Sequence, residues 1–172
     1  MRYSRRDFLR AITGVCLLGY SGYALKRDYL PARLTEDKRQ TLKAFLDVII
    51  PADESPSASA LEVDMAILGK SAGDRKFLVL LGRGCDWLDK QAKKLFNIRQ
   101  FYLLDEGMRQ KIVSIAAENL EGSLPRFFFE RLRRDAFFYY YGNPLSWKSI
   151  GYDGPPQPSG FPDHSSPPGF GL

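Results

Sequence analysis

The sequence predicts an all-α protein: a small irregular bundle of about four to five helices, with an extended Pro/Gly-rich arm at the C-terminal end. Three observations carry this reading. Between residues 35 and 141, apolar side chains return at i, i+3, i+4 and i+7 in successive stretches separated by Gly, Pro and Asp. No stretch shows the strict apolar–polar alternation of a half-buried strand, and no segment repeats. From Gly151 onward prolines recur too closely for a helix. The chain therefore divides into residues 1–24, a short linker 25–34, a helical domain 35–150 and an arm 151–172.

Residues 1–24 have the parts of a bacterial export signal. Ser4-Arg5-Arg6-Asp7-Phe8-Leu9-Arg10 places two adjacent arginines two residues before an apolar pair. A low-charge run follows, and then Gly22-Tyr23-Ala24, a small-x-small cleavage candidate. Arg5, Arg6, Phe8 and Leu9 are the residues of a twin-arginine signal, an address read by the Tat translocon rather than an anchor. Its passengers reach the periplasm already folded, usually with a cofactor inserted. A membrane span is the competing reading. The apolar run is about 15 residues, broken by Gly14, Gly19, Ser21 and Gly22, where a span needs ~20. An uncleaved signal retained as a loose anchor stays open. Cys16 follows Val15, which does not suit a lipoprotein site.

Of 172 residues, 148 remain after residue 24, enough for one domain with a real core. The formal charge of +5 is concentrated in the signal, where Arg2, Arg5, Arg6 and Arg10 face only Asp7. The remainder carries +2, which is no nucleic-acid footprint. Cys85 is the only cysteine after the signal, so no internal disulfide is possible there. It is either a buried thiol, the preferred reading, or half of an intermolecular disulfide.

Leu25 to Leu34 is the linker, with Pro31. Thr35 is the N-cap of a first helix, with Glu36 and Asp37 in the first turn where the helix dipole favours them. Leu42, Phe45, Leu46 and Ile49 form its apolar stripe, and Pro51 stops it. Ala52 to Ala58 is a Pro/Ser loop. A short helix is expected from Ala60 to Leu68, ended by Gly69. Asp74 caps a longer one to Phe96, with Phe77, Leu81, Cys85, Leu88, Ala92 and Leu95 on one face. Gly82 and Gly84 weaken its middle by ~1 kcal/mol each. Asp105 caps the next, with Met108, Ile112, Ile115, Ala116 and Leu120 inward and Gly122 at its end. A fourth long helix starts at Leu124-Pro125 and runs to Tyr141, closed by Gly142-Asn143-Pro144. Phe127, Phe128, Phe129, Phe137, Phe138, Tyr139, Tyr140 and Tyr141 surround its axis. A helix apolar all round is buried on several sides. It is expected to be both central in the bundle and turned on one side toward a partner. Pure core is the plainer alternative.

The arm carries Tyr152, Pro155, Pro156 and Phe161, with Trp147 at its base. Prolines favour an extended polyproline-II path, and an aromatic-studded extended segment suits a groove on another surface. These five residues are the expected partner-binding set.

The chemistry of a catalyst is not evident. The single histidine, His164, lies in the arm, which leaves no His/Cys metal set and no nucleophile–histidine pair in the helical domain. There is no Cys-x-x-Cys-His for covalent haem and no Walker loop. Gly82-Arg83-Gly84-Cys85-Asp86-Trp87 lacks the third glycine and lies inside a helix, so it is not a dinucleotide fingerprint. Asp53-Glu54 reads as loop charge before it reads as a catalytic pair. No catalytic, cofactor-binding or metal-binding residue is assigned.

Asp47-Val48-Ile49-Ile50-Pro51-Ala52-Asp53-Glu54-Ser55-Pro56 resembles the D-x-I-I-P-A-D-x-x-P signature of the gluconate 2-dehydrogenase subunit 3 family. Tyr140-Tyr141-Gly142-Asn143-Pro144, Trp147, Gly151-Tyr152 and Gly154-Pro155-Pro156-Gln157-Pro158 resemble its C-terminal signature. Ser57 departs from the family's usual glycine. The resemblance implies a small, cofactor-free, non-catalytic subunit beside a large FAD-containing dehydrogenase subunit acting on sugars, sugar acids or polyols. In such complexes a multi-haem cytochrome c subunit often passes electrons onward. The place implied is the outer face of the inner membrane, reached through the complex. The small chain would supply the export address for the flavoprotein. A competing class is an export or maturation chaperone that is not retained, and a third is an independent periplasmic binding protein.

Overall fold

Extended backbone at Thr35 opens the first helix, α1 (Glu36–Ile49). A computed structural model describes residues 33–152 and Gly154. A compact unit begins at Thr35. Arg5, Arg6, Phe8 and Leu9 of the expected signal, and Pro155, Pro156, Phe161 and His164 of the arm, lie outside the described residues.

Thr35 occupies the cap position without a side-chain hydrogen bond, and Glu36 and Asp37 supply the first-turn charge. Leu42, Phe45 and Leu46 are fully buried. Ile49 is half-buried, because the chain leaves the helix there and turns Ile50 inward instead.

The expected helix at 60–68 divides differently. A 3₁₀ turn spans Ser59–Leu61, and Glu62 takes a left-handed conformation (φ 56°). Then α2 (Val63–Ala72) runs straight through Gly69 to Gly73. The left-handed residue breaks the helix early. Gly69 sits where nothing lies within 4 Å of an added Cβ, so it is an open-face glycine and not a stop.

The next helix, α3 (Arg75–Phe96), is capped by Asp74, whose carboxylate accepts the Phe77 N–H at 3.0 Å. Phe77, Leu81, Cys85, Leu88 and Ala92 are buried, while Leu95 is 40% exposed as the helix outruns the core. Asn97, left-handed at φ 57°, ends it. The same capping recurs in α4 (Glu106–Ala117), where Asp105 accepts from Met108 N–H at 2.8 Å. Ile112, Val113 and Ala116 point inward. Leu120, expected inward, is 82% exposed because the helix stops three residues before it.

Leu124–Tyr141 forms α5, with Pro125 in its first turn. It packs against α1, α2, α3, α4 and α6, the last a short helix at Pro144–Trp147. The described residues are thus all-α, a small bundle around α5, with no strand among them. Phe128, Leu132, Ala136 and Tyr140 form the inner stripe of α5, one turn apart.

Two polar contacts fix neighbouring helices. Asp135 is buried on α5 and pairs with Lys70 at 3.2 Å and Arg131 at 3.0 Å. A buried carboxylate without such partners would be strongly destabilising. The Asp89 carboxylate on α3 accepts from Thr41 Oγ1 of α1 at 3.0 Å and from the Phe101 N–H at 2.9 Å. Partial burial raises its pKa above the usual carboxylate value, against these two bonds. Cys85 is fully buried, and its Sγ donates to the Lys38 carbonyl at 3.5 Å. Desolvation pushes this thiol well above its ordinary pKa. A bridge to another chain would require α1 and α3 to part.

At Gly84, α3 leaves room for the Phe128 ring of α5. A Cβ built at Gly84 would overlap the Phe128 ring. Gly84→Ala should therefore destabilise by about 1–3 kcal/mol through overpacking, despite alanine's better helix propensity. Gly69→Ala, on its open face, should stabilise by about 0.5–1 kcal/mol. Urea unfolding of the two variants, followed by circular dichroism, checks that the signs are opposite.

Candidate functional site

The stretch that leaves α1 is held as a closed loop. Ile50 N–H still bonds to the Leu46 carbonyl, and the Ala58 N–H returns to the Ile50 carbonyl at 3.0 Å. Between them, the Asp53 carboxylate accepts from Ser55 N–H at 2.7 Å and from Ser55 Oγ at 2.6 Å. Asp53 N–H in turn donates to the Ser55 carbonyl. This is an Asx turn, in which a side chain substitutes for a backbone turn. The Ser55 hydroxyl and then its N–H hold the Asp53 carboxyl below the usual range. Four residues before Pro51, Asp47 on α1 accepts the Ser59 N–H at 2.9 Å.

Ser57 needs no glycine geometry. The described non-glycine residues with positive φ are Glu62 and Asn97, and Ser57 is not among them. Its hydroxyl instead contacts Ser59 Oγ and accepts from Ala60 N–H, each at 3.3 Å. The turn is intact with serine there.

A second corner is built at the end of α5. Gly142 follows the helix with no room for a side chain, since an added Cβ would come 2.9 Å from the Phe138 carbonyl oxygen. Asn143 caps α6 by accepting the Leu145 N–H at 3.0 Å. Ser146, buried, donates to the Tyr140 and Asn143 carbonyls at 2.8 Å. Trp147 Nε1 donates back to the Tyr141 carbonyl at 2.7 Å. Tyr152 N–H bonds to the Trp147 carbonyl, and the two rings meet edge to face at 5.2 Å. Gly151 (φ 66°) turns the chain into this contact. Gly154 (φ 115°) lies against the indole, where an added Cβ would be 3.6 Å from Cζ3.

The two corners are one site. Tyr140, 2% exposed, donates its hydroxyl to the Pro56 carbonyl at 2.7 Å, across 84 residues of chain. Sequence reasoning did not single out this bond. The available signal was the stripe Phe128, Leu132, Ala136, Tyr140. A tyrosine on a buried stripe brings a hydroxyl that must find an acceptor.

Of the five expected partner-binding residues, Trp147 and Tyr152 are described, and they pack on each other. Trp147 is half-buried and Tyr152 is 41% exposed. Asp53 and Glu54 are exposed on the loop, and Asp53 is occupied with its own turn. In the polar hollow between α1 and α3, Lys38 pairs with Asp86 at 2.8 Å, Asp89 accepts from two donors and Lys93 donates to Asn97. Among the described residues no group of three or more His, Cys, Asp or Glu is placed to hold a metal ion. No described helix is long and apolar enough to cross a membrane.

A sequence model of the family described as gluconate 2-dehydrogenase subunit 3 matches residues 36–154. The match takes in both halves of the site. No curated protein and no solved structure matches the chain.

Tyr140→Phe leaves the ring in place and removes only the hydroxyl. It should destabilise the isolated chain by about 1–2 kcal/mol, from a lost hydrogen bond and an unsatisfied Pro56 carbonyl. Denaturant titration gives the size. Faster amide exchange at Ala58, with α3 unchanged, would place the effect in the loop.

Proposed function

The chain belongs to the gluconate 2-dehydrogenase subunit 3 family, and on that premise we propose that it is the non-catalytic small subunit of a periplasmic flavin-dependent dehydrogenase. The observation that carries this reading is the family match over residues 36–154, within which the two signature stretches close on one another through Tyr140 and Pro56. The bonds of that site are structural ones. Asp47, Asp53, Ser55, Tyr140, Asn143, Trp147 and Tyr152 are used to hold a loop, a cap or a ring contact. This favours a chain that offers a shaped surface over one that transforms a substrate.

In this reading FAD and the substrate pocket belong to a large partner subunit, and haem c to a cytochrome subunit where one is present. Arg5, Arg6, Phe8 and Leu9 supply the twin-arginine address for the pair, and the complex sits at the outer face of the inner membrane. The substrate is a sugar, sugar acid or polyol. The arm, with Pro155, Pro156 and Phe161, extends the docking surface that begins at Trp147 and Tyr152. Its prolines restrict the unbound arm and so lower the ordering cost of docking in an extended groove.

Tagged full-length chain isolated from periplasm should bring a flavoprotein with it in fixed stoichiometry, with flavin absorbance and dehydrogenase activity in the eluate. Arg5→Lys with Arg6→Lys should leave both proteins and the activity in the cytoplasmic fraction. Periplasmic activity at the wild-type level in that variant would sink the shared-address reading. Export of the flavoprotein without its retention on the tagged chain would instead identify a maturation chaperone.

Deleting residues 155–172 spares the Trp147–Tyr152 contact. The deletion should leave helicity and the melting temperature of the lone chain nearly unchanged. It should weaken the complex by about 2 kcal/mol, the scale of a hot-spot loss. Titration calorimetry with the purified flavoprotein measures it. A truncated chain that melts far lower yet keeps its affinity would show that the arm serves this fold rather than the partner.

A further inference from the structure

The inner stripe of α5 is complete with two buried aromatics, Phe128 and Tyr140, yet the helix carries four exposed ones. Phe127 is 53% exposed, Phe137 41%, Phe138 73% and Tyr141 48%. Between them stand Arg133 and Arg134, both exposed, the Arg134 side chain at 73%. Arg134 meets Asp135 only at 3.9 Å, and the closer cations on that carboxylate are Arg131 and Lys70. Glu130, exposed on the same face, pairs with Arg126 at 2.6 Å, so the outer face of α5 is aromatic and net positively charged.

We propose that this outer face of α5 is the primary docking surface for an acidic, apolar-lined strip on the flavin-containing partner. The inference rests on the subunit reading above and names the surface that reading leaves open. Three observations select this occupant. First, the charge of the face is net positive: Arg133 and Arg134 stand in excess of Glu130, whose carboxylate pairs with Arg126. Two copies of this chain meeting face to face would bring two net-positive surfaces together, whereas an acidic strip complements the excess. Second, every basic residue of α5 is arginine (Arg126, Arg131, Arg133, Arg134), while α3 carries Lys76, Lys90, Lys93 and Lys94. Protein interfaces are enriched in arginine and aromatics and depleted in lysine. An anionic lipid surface makes no such distinction. Third, the exposed rings are already organised. Phe137 and Tyr141 lie 6.0 Å apart, Phe138 meets Tyr139 edge to face at 5.3 Å, and Arg133 sits 5.5 Å from the Phe129 ring. Side chains ordered before contact lose little freedom on docking.

The test uses the full chain and the purified flavoprotein that co-purifies with it. Arg133→Glu with Arg134→Glu should weaken binding about tenfold or more, and should abolish most of the salt dependence seen for the wild type. Phe138→Ala should weaken binding by a similar factor with the salt dependence retained. Leu120→Ala, exposed after α4, should bind as wild type. Circular dichroism and melting of each isolated variant should match the wild type, so that lost binding reports the surface. Variants on α5 that bind like wild type would overturn the assignment of this face while leaving the subunit reading intact. A wild-type chain that retains no flavoprotein would overturn the subunit reading and this proposal with it. If the arginine variants lose binding to anionic phosphatidylglycerol vesicles but keep the flavoprotein, the face is a lipid surface and the proposal is wrong.

Discussion

The bundle depends on the place where the Phe128 ring lies against the bare Cα of Gly84. Without a side chain on α3 at that point, α5 comes close enough for Phe128 to reach Phe45 on α1, their rings 5.0 Å apart. Three helices are thereby fixed by one aromatic side chain. The ionic contacts are arranged around the same axis. Arg131 lies over the Phe77 ring at 4.5 Å while it pairs with Asp135, so the salt bridge that ties α5 to itself also covers the start of α3. Lys70 brings α2 to the same carboxylate. Burying Asp135 is tolerable because the packing that removes it from water also delivers its two closest cations.

Once α5 is placed, its last turn has little freedom, and the two signature stretches follow from it. Tyr140 points inward and takes the Pro56 carbonyl. That bond decides where the loop after α1 lies, and the Asx turn at Asp53 decides its shape. Gly142 lets the chain leave α5 sharply, and Asn143 starts the short helix that carries Trp147 back toward Tyr141. The residues that mark the family in this chain are thus readable as parts of one folding unit. A reader who expected a catalytic constellation in Asp53-Glu54 would find a turn.

Much of this was legible from residue order, and the misses have physical causes. The caps at Asp74 and Asp105 follow from a carboxylate placed three residues before a helix's own N–H groups, a local relation that sequence displays directly. The boundaries of α5 followed likewise from Pro125 and Gly142. The helix at 60–68 was misplaced because its break comes from left-handed Glu62, a conformation no glycine announced. Gly84 read as a weak point in a helix. Its role depends on Phe128, which lies 44 residues later, and such pairing leaves no local trace. Leu95 and Leu120 were assigned inward by periodicity alone, and periodicity does not say where the neighbouring helix ends.

The two sides of α5 are coupled through that last turn. Tyr140 and Tyr141 are adjacent in sequence and meet edge to face at 5.2 Å, one ring in the core and the other on the outer face. Tyr141 also gives its carbonyl to Trp147, and its ring packs against Phe137. The residues that close the signature corner therefore also set the position of the exposed aromatic patch. Loosening the Tyr140–Pro56 bond would let the final turn fray, and the fraying would reach Tyr141 before it reached Phe128, which is held by Gly84 three turns away. A fold built this way does not need its outer aromatics for stability, since the inner stripe is complete without them. It does need its signature residues in order to present those aromatics in a fixed arrangement. Packing at the Gly84 end and presentation at the Tyr141 end are separate tasks along one helix.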